Sequence, residues 1–328
     1  MPHEPHGHSH AHNHKDDHAQ HDHHDGHSHA LHGHHHLPNS SRAFAIGVVL
    51  NLSFVAVEVG YGLISNSLAL LADAGHNFSD VLGLLLAWGA SSLATKSPSL
   101  RLTYGLRGTT ILAAMANAMM LLVAIGVIGW EAVGRLSSPD VVNSVTVIWV
   151  ALVGVVINTA TALMFVKGHK QDLNIRGAYL HMAADAAISL GVAVAGFGML
   201  YTGWLWLDPV VSIVIAILIF IGTWGLLSES VRLALQAVPA GIDPVAVRRH
   251  LASLPHVREV HVLHIWGMST TETALTVHLV MPGGHPGDDY LATVAHELAE
   301  RYGIVHATLQ VETASGSHPC ALAPDHVV

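Results

Sequence analysis

The chain has 328 residues, 51% of them apolar, and only 11% are Asp, Glu, Lys or Arg. That balance points to a protein that crosses a membrane several times, and 14 scattered Lys plus Arg argue against a nucleic-acid partner. The formal charge of -9 says little about partners because 29 histidines titrate near neutrality, and the single cysteine, Cys320, excludes an internal disulfide framework.

Residues 1–40 are of low complexity. Sixteen of the first 36 residues are His, mixed with Asp, Gly, Ala, Asn and Ser. With no apolar periodicity, this stretch is expected to be a disordered leader. It lacks a basic stretch followed at once by a short apolar core, so no cleavable signal peptide is expected. His8, His10, His12 and His14, then His21, His23 and His24, place many imidazoles on a flexible segment. Such an arm suits weak, multiple metal binding and is expected to gather or sense metal.

Six apolar runs follow, at roughly 43–64, 68–94, 108–133, 142–166, 176–202 and 206–230. Each approaches the ~20 residues that a spanning helix needs. Lys96, Arg101 and Arg107 lie in the second-to-third link, and Lys167, Lys170 and Arg176 in the fourth-to-fifth. The first-to-second and fifth-to-sixth links carry no Lys or Arg; Arg135, in the third-to-fourth, is the exception. The positive-inside rule then places both chain ends in the cytoplasm.

After Pro239 the pattern changes. Asp243 starts a helix that runs to about Leu254. Residues 257–268 alternate, with Val260, Val262, His264 and Trp266 expected on one face. Residues 273–281 alternate again, 286–302 read as an amphipathic helix, and 304–312 as a third strand with Val305, Ala307, Leu309 and Val311 inward. The predicted fold class is an α-helical membrane protein of six spans, followed by a small cytoplasmic α+β domain of order αββαβ, ferredoxin-like. The expected domains are 1–40, 41–236, 237–314 and a flexible tail at 315–328.

Two strings inside the apolar runs carry the chemistry: His76-x-x-x-Asp80 and His181-x-x-x-Asp185. Residues four apart share a helix face. Two such faces opposed give two imidazoles and two carboxylates, a set that suits tetrahedral Zn2+. Ionisable groups at membrane depth are costly and mark transport routes. Two buried carboxylates resist ionising together, a divalent cation cancels both charges, and without metal the same groups hold protons. The expectation is a metal/proton exchanger. Asp73, one turn before His76, and Glu58 are candidate pathway residues, whereas Asn51 and Asn158 suit interhelical hydrogen bonds.

These strings, with Asn51-Leu-Ser-Phe54, Ser67 to Asp80, Thr103-Tyr-Gly-Leu-Arg107, Glu131-Ala-Val-Gly-Arg135, Asp208-Pro209 and Leu263-His-Ile-Trp266, resemble the cation diffusion facilitator family, in its zinc-transporting branch. The resemblance spans about Arg42 to Glu312. It implies a six-helix exporter, usually a homodimer, that moves Zn2+ out of the cytoplasm against protons. Histidine at 76 rather than aspartate is the zinc-branch feature. In the soluble domain it implies regulatory metal at His264, His278 and Glu312, with His306 a further candidate on the outward face of the third strand. His261 lacks a clear partner by sequence, and Cys320 reads as a loose terminal thiol. No organic cofactor and no enzymatic activity are expected, and a bacterial inner membrane is the expected location. The competing reading is a membrane metal sensor or storage protein whose His-rich arm is the functional element. A membrane metallohydrolase is disfavoured, because no extra nucleophile or base lies near the pairs and all four ligands are protein-supplied.

Overall fold

The computed structural model describes residues 41–165, 173–313 and 320–323. The histidine-rich leader and the 166–172 link lie outside the described residues. Six long helices form the first part: α1 (Ser41–Ser65), α2 (Leu68–Ala94), α3 (Thr109–Ser137), α4 (Ser144–Phe165), α5 (Leu173–Thr202) and α6 (Leu207–Ala234). They sit on the six apolar runs, with ends shifted by a few residues. Among the described residues, α3, α4, α5 and α6 are each long and apolar enough to cross a membrane. The α2 sequence is interrupted by Asp73, His76 and Asp80.

That interruption is tolerated because α2 is an inner helix. It packs on α1, α3, α5 and α6, while α4 pairs with α5 and α3 with α6. Ala69, Leu70 and Ala72 of α2 are sealed among Leu121 and Ile125 of α3, Val147 and Ala151 of α4, Val192 of α5 and Ile215 of α6. Small side chains allow close approach. A Cβ on Gly154 of α4 would stand 2.9 Å from the Phe54 ring of α1 and 3.0 Å from Ser189 Oγ of α5.

The start of α2 is held by Asp208 of α6. Its buried carboxylate accepts from Ser67 Oγ at 2.5 Å, from the Leu68 amide at 2.8 Å and from the Ala69 amide at 3.4 Å. A helix N-terminus offers unpaired amides and positive potential, so a carboxylate there is well placed. Asp208→Ala leaves three buried donors without an acceptor. It is expected to cost about 3 kcal/mol, read as a lower melting temperature in detergent, whereas Asp208→Asn, which keeps an acceptor oxygen, loses less. Arg135 sits at the same end. Its guanidinium donates to the Asn66 carbonyl at 2.8 Å and meets Glu131 at 3.1 Å and Asp140 at 3.4 Å. Two carboxylates therefore balance the one cation that departs from the loop-charge pattern.

The second part is α7 (Pro244–Ala252), β1 (Glu259–Gly267), β2 (Thr273–Val280), α8 (Asp288–Tyr302) and β3 (Ile304–Glu312), the αββαβ order expected. Asp243 accepts from the Val245 amide and Pro244 occupies the first helical position, a standard helix start. Gly303 closes α8 in the left-handed conformation, φ 68°. The sheet order is β1-β2-β3, antiparallel then parallel. One face packs Leu275, Val277 and Leu279 against Val247 and Leu251 of α7 and Val294 and Leu298 of α8.

Two irregularities correct the expected strand faces. The register of β1 slips between His261 and His264, with Val262 at φ 52°. That is an extra residue in the ladder, held in a conformation a β-branched side chain rarely adopts. Val260 therefore shares the core face with Ile265, while His264 and Trp266 turn to the opposite face, where Thr276 and Ala274 pair with them. In β3 the register slips beside Ile304, leaving Val305 exposed; Ile304 is buried in its place, and Ala307, Leu309 and Val311 face inward as expected.

The two parts meet at one end of the helices. Arg107, in the α2–α3 link, donates to Glu272 in the β1–β2 turn at 2.6 Å, and the Thr270 amide donates to Thr110 Oγ1 at 3.1 Å. The Tyr104 ring meets the edge of His306 at 5.7 Å. Gly267 lies so close to α6 that a Cβ there would be 2.9 Å from Leu233.

Candidate metal centre

Helices α2 and α5 touch over a short, antiparallel stretch, and there the two His-x-x-x-Asp strings face each other. Each string supplies an imidazole and a carboxylate from one helix face. The tightest contacts cross between the helices: His76 Nε2 to Asp185 Oδ1 at 3.3 Å and His181 Nε2 to Asp80 Oδ2 at 3.2 Å. The pairs within each string stand at 3.7 Å. The two rings meet edge to face, 81° apart in plane. One ligand atom from each residue lies within 4.8 Å of all the others. A tetrahedron with ~2.0–2.2 Å metal–ligand bonds has edges of roughly 3.3–3.6 Å, so the observed spacing encloses a single ion with little adjustment.

The cage is asymmetric. Asp185 is 1% exposed, and among the described residues neither carboxylate oxygen receives an aligned hydrogen bond from a protein donor. The side chains of Asp80 and His181 are about a third or more exposed, at 31% and 41%. Because α2 and α5 are antiparallel, both of these lie toward the end that carries the second domain. The centre is thus open toward that end and sealed behind His76 and Asp185.

Beyond the sealed side lie the two candidate pathway residues. Glu58 of α1 and Asp73 of α2 are fully buried. Asn77 Nδ2 donates to Glu58 Oε2 at 3.2 Å, and Ser189 Oγ of α5 donates to Asp73 Oδ2 at 2.9 Å. Sequence alone does not bring Glu58 to Asn77, one turn along α2 from Asp73; that placement depends on how α1 packs on α2.

A second cluster occupies the helix-free face of the sheet, at the end away from the six helices. His261 and His278 are register partners, with ring centroids 5.3 Å apart. His278 Nδ1 stands 2.8 Å from Glu312 Oε1, and His261 Nε2 stands 3.3 Å from Glu312 Oε2. Cys320 Sγ lies 3.5 Å from His278 Nδ1. These four also bring one ligand atom each within 4.8 Å of the rest. Burial pushes the Glu312 carboxyl upward, but the neighbouring His261 charge, the bond to Cys320 and the His278 charge outweigh it and hold the group below its usual range. A depressed carboxylate of this kind is stabilising above the ordinary carboxylate range, and that contribution is lost as pH falls through the depressed value.

Of the four residues singled out by sequence in this domain, His278 and Glu312 are in the cluster and His264 and His306 are not. His264 shares the face but pairs with Thr276, two residues along β2 from His278. His306 is six residues from Glu312, which is about 20 Å along a strand, and meets Tyr104 instead. His261 and Cys320 take their places. The β1–β2 pairing supplies the first, and the described segment 320–323, with Cys320 beside His278, supplies the second.

The chain matches the cation efflux transmembrane domain over residues 44–233 and the cation efflux protein cytoplasmic domain over 239–314. It belongs to the cation efflux family. Its relatives include the cation efflux system protein CzcD of Alcaligenes sp. (strain CT14), 33% identical over 90% of this chain and 92% of the relative. The zinc transporter ZitB of Escherichia coli (strain K12) is 36% identical over 86% of this chain and 91% of its own length. The cadmium, cobalt and zinc/H(+)-K(+) antiporter of Bacillus subtilis (strain 168) is 33% identical over 88% and 95%. This cation efflux protein is therefore an integral membrane protein of six spanning helices with a small α+β domain, and the family's work is metal efflux, which the competing sensor or storage reading does not share.

Proposed function

We propose that this cation efflux protein exports Zn2+ from the cytoplasm in exchange for protons, with His76, Asp80, His181 and Asp185 as the transport site. The observation that carries the reading is Asp185: a sealed carboxylate with no aligned donor, facing two imidazoles and a second carboxylate. Bare buried carboxylates are costly unless a cation or a proton joins them. Two imidazoles and two carboxylates accept Zn2+ as neutral and anionic ligands, and the same atoms accept protons, so the two cargoes compete for one place. Cd2+, Co2+ and Ni2+ suit the same donors, and geometry rather than affinity alone has to choose among them.

The chain runs with both ends in the cytoplasm of a bacterial inner membrane. Supporting this, the second domain matches a family domain described as cytoplasmic, and it is bonded to the basic α2–α3 link through Arg107 and Glu272. The open side of the cage then faces the cytoplasm, the side from which an exporter loads. Glu58 and Asp73 lie on the outward side of the route. The protein works as a homodimer, and the His261, His278, Glu312 and Cys320 cluster takes a regulatory Zn2+. The reading assigns no enzymatic activity and no organic cofactor.

The test is metal uptake into inverted vesicles under an imposed pH gradient, comparing Zn2+, Cd2+, Co2+, Ni2+ and Mn2+. Zinc uptake is expected to be driven by the gradient and to stop when it is collapsed, with Mn2+ transported least because it prefers carboxylate and water ligands. Zinc movement indifferent to the gradient would sink the exchange reading. Removing residues 1–36 is expected to leave most of the flux.

A further inference from the structure

The Glu58–Asp73 pair is a separate station from the metal cage, and its hydrogen-bond count is incomplete. Each carboxyl group has one oxygen served by a neutral donor, Asn77 for Glu58 and Ser189 for Asp73. Each has its other oxygen, Glu58 Oε1 and Asp73 Oδ1, buried without a partner. Asn77, which holds Glu58, lies one turn along α2 from Asp73, so the two buried carboxyl groups share one dry region between α1, α2 and α5. Two acceptors cannot bond unless one carries hydrogen. A single proton between them makes one O–H donor, gives the facing oxygen its bond, and removes one of two like charges from a dry site.

Among the described residues, the surroundings offer no alternative counter-charge. No Lys or Arg occurs in Asn51–Ser65 of α1, in α2, in Ser144–Leu163 of α4 or in Tyr179–Thr202 of α5. The charged residues of α3 and α6, Glu131, Arg135, Asp208, Glu229 and Arg232, all lie in the first or last two turns of those helices. The placement is also directional. Asp73 is one turn before His76 on α2, and Ser189 is one turn after Asp185 on α5, so the pair lies about 5 Å beyond the cage on its sealed side.

We propose that Glu58 and Asp73 form a proton-carrying station, distinct from the metal cage, that holds one counter-transported proton on the outer side of the transport site. The station rests on the exchanger reading above. A proton arriving from outside meets the carboxyl pair before it meets the metal ligands. Asp185 lies one turn along α5 from Ser189, whose hydroxyl serves Asp73, so in this dry region loading the pair and emptying the cage are electrostatically linked. The all-oxygen donor set favours a proton over Zn2+, which prefers the nitrogen-bearing cage.

Purified protein in liposomes tests this, with zinc flux and proton flux followed together by internal dyes and zinc affinity measured by calorimetry. Glu58→Gln keeps the shape and the Asn77 contact but cannot give up or take a proton. It is expected to bind Zn2+ within about threefold of the unmodified protein while the proton-to-zinc flux ratio falls by about one proton per ion. Asp73→Asn is expected to behave alike, and Glu58→Asp to recover part of the ratio; Asp73→Asn alone decides the matter if Glu58→Gln does not fold. An unchanged ratio in the folded variants overturns the station. So does loss of zinc binding in a folded Glu58→Gln protein, which would make Glu58 part of the metal site. Unmodified protein that moves zinc with no proton flux overturns the exchanger reading itself, a different result from a variant that leaves the ratio intact.

Discussion

Zinc export is expected to fall to background when Asp185 is replaced by alanine, while the protein still inserts in the membrane and elutes as an intact species. Removing one partner from a buried charged group costs about 3–5 kcal/mol, equivalent to roughly two to four orders of magnitude in affinity. Asp185 should sit at the upper end, because it is the most enclosed of the four residues and closes the sealed side of the cage. Asp185→Asn tests charge against shape. The amide keeps the volume and one acceptor oxygen but leaves the cage with one negative charge against a divalent ion, so export should fail with it as well. Asp80→Ala should also abolish export. Inverted vesicles with a zinc-responsive dye give the measurement, and flux near that of the unmodified protein from either alanine variant would sink the assignment. Zinc binding should also weaken as pH falls, because the metal needs neutral imidazoles and ionised carboxylates.

The second large effect belongs to the soluble domain. Zinc at His261, His278, Glu312 and Cys320 should raise the melting temperature of the full-length protein, since a ligand present at 100 times its dissociation constant adds about 2.7 kcal/mol to the folded state. A chelator should reverse the shift. The same metal should slow alkylation of Cys320, because a coordinated thiolate is not a free nucleophile. In His278→Ala both the thermal shift and the protection of Cys320 should disappear, while His264→Ala and His306→Ala should leave them in place. Cys320 reacting equally fast with and without zinc would remove it from the ligand set. The transport cage serves as the internal control, since Asp185→Ala should leave Cys320 protection untouched.

These expectations differ in how far the amino-acid order alone supports them. The cage was legible because its information is local. A histidine and an aspartate four apart share a helix face whatever the rest of the chain does, and two such faces at membrane depth have few other uses. The fold class was legible for the same reason, from apolar runs of spanning length followed by alternating strands. The soluble cluster was only half legible. One extra residue at Val262 shifts which side chains of β1 face the core, and no periodicity announces it. His261 acquires its partner through strand pairing, and Cys320 meets His278, 42 positions earlier in the chain, only in the tertiary structure.

Sequence by itself determined the six helices, the αββαβ order, the four residues that cluster between α2 and α5 and the family to which the chain belongs, because helical period, loop charge and motif spacing are properties of neighbouring residues. Tertiary structure decided what depends on distant residues meeting: the cross-helix pairing of His76 with Asp185 and of His181 with Asp80, the opening of the cage toward the soluble domain, the Asp208 clamp on α2, and the replacement of His264 and His306 by His261 and Cys320. It also decided that Glu58 and Asp73, 15 positions apart and on different helices, are both fully buried, with Glu58 held by Asn77 one turn along α2 from Asp73. Burial strengthens every electrostatic interaction there, and burial is set by packing, which no local pattern encodes.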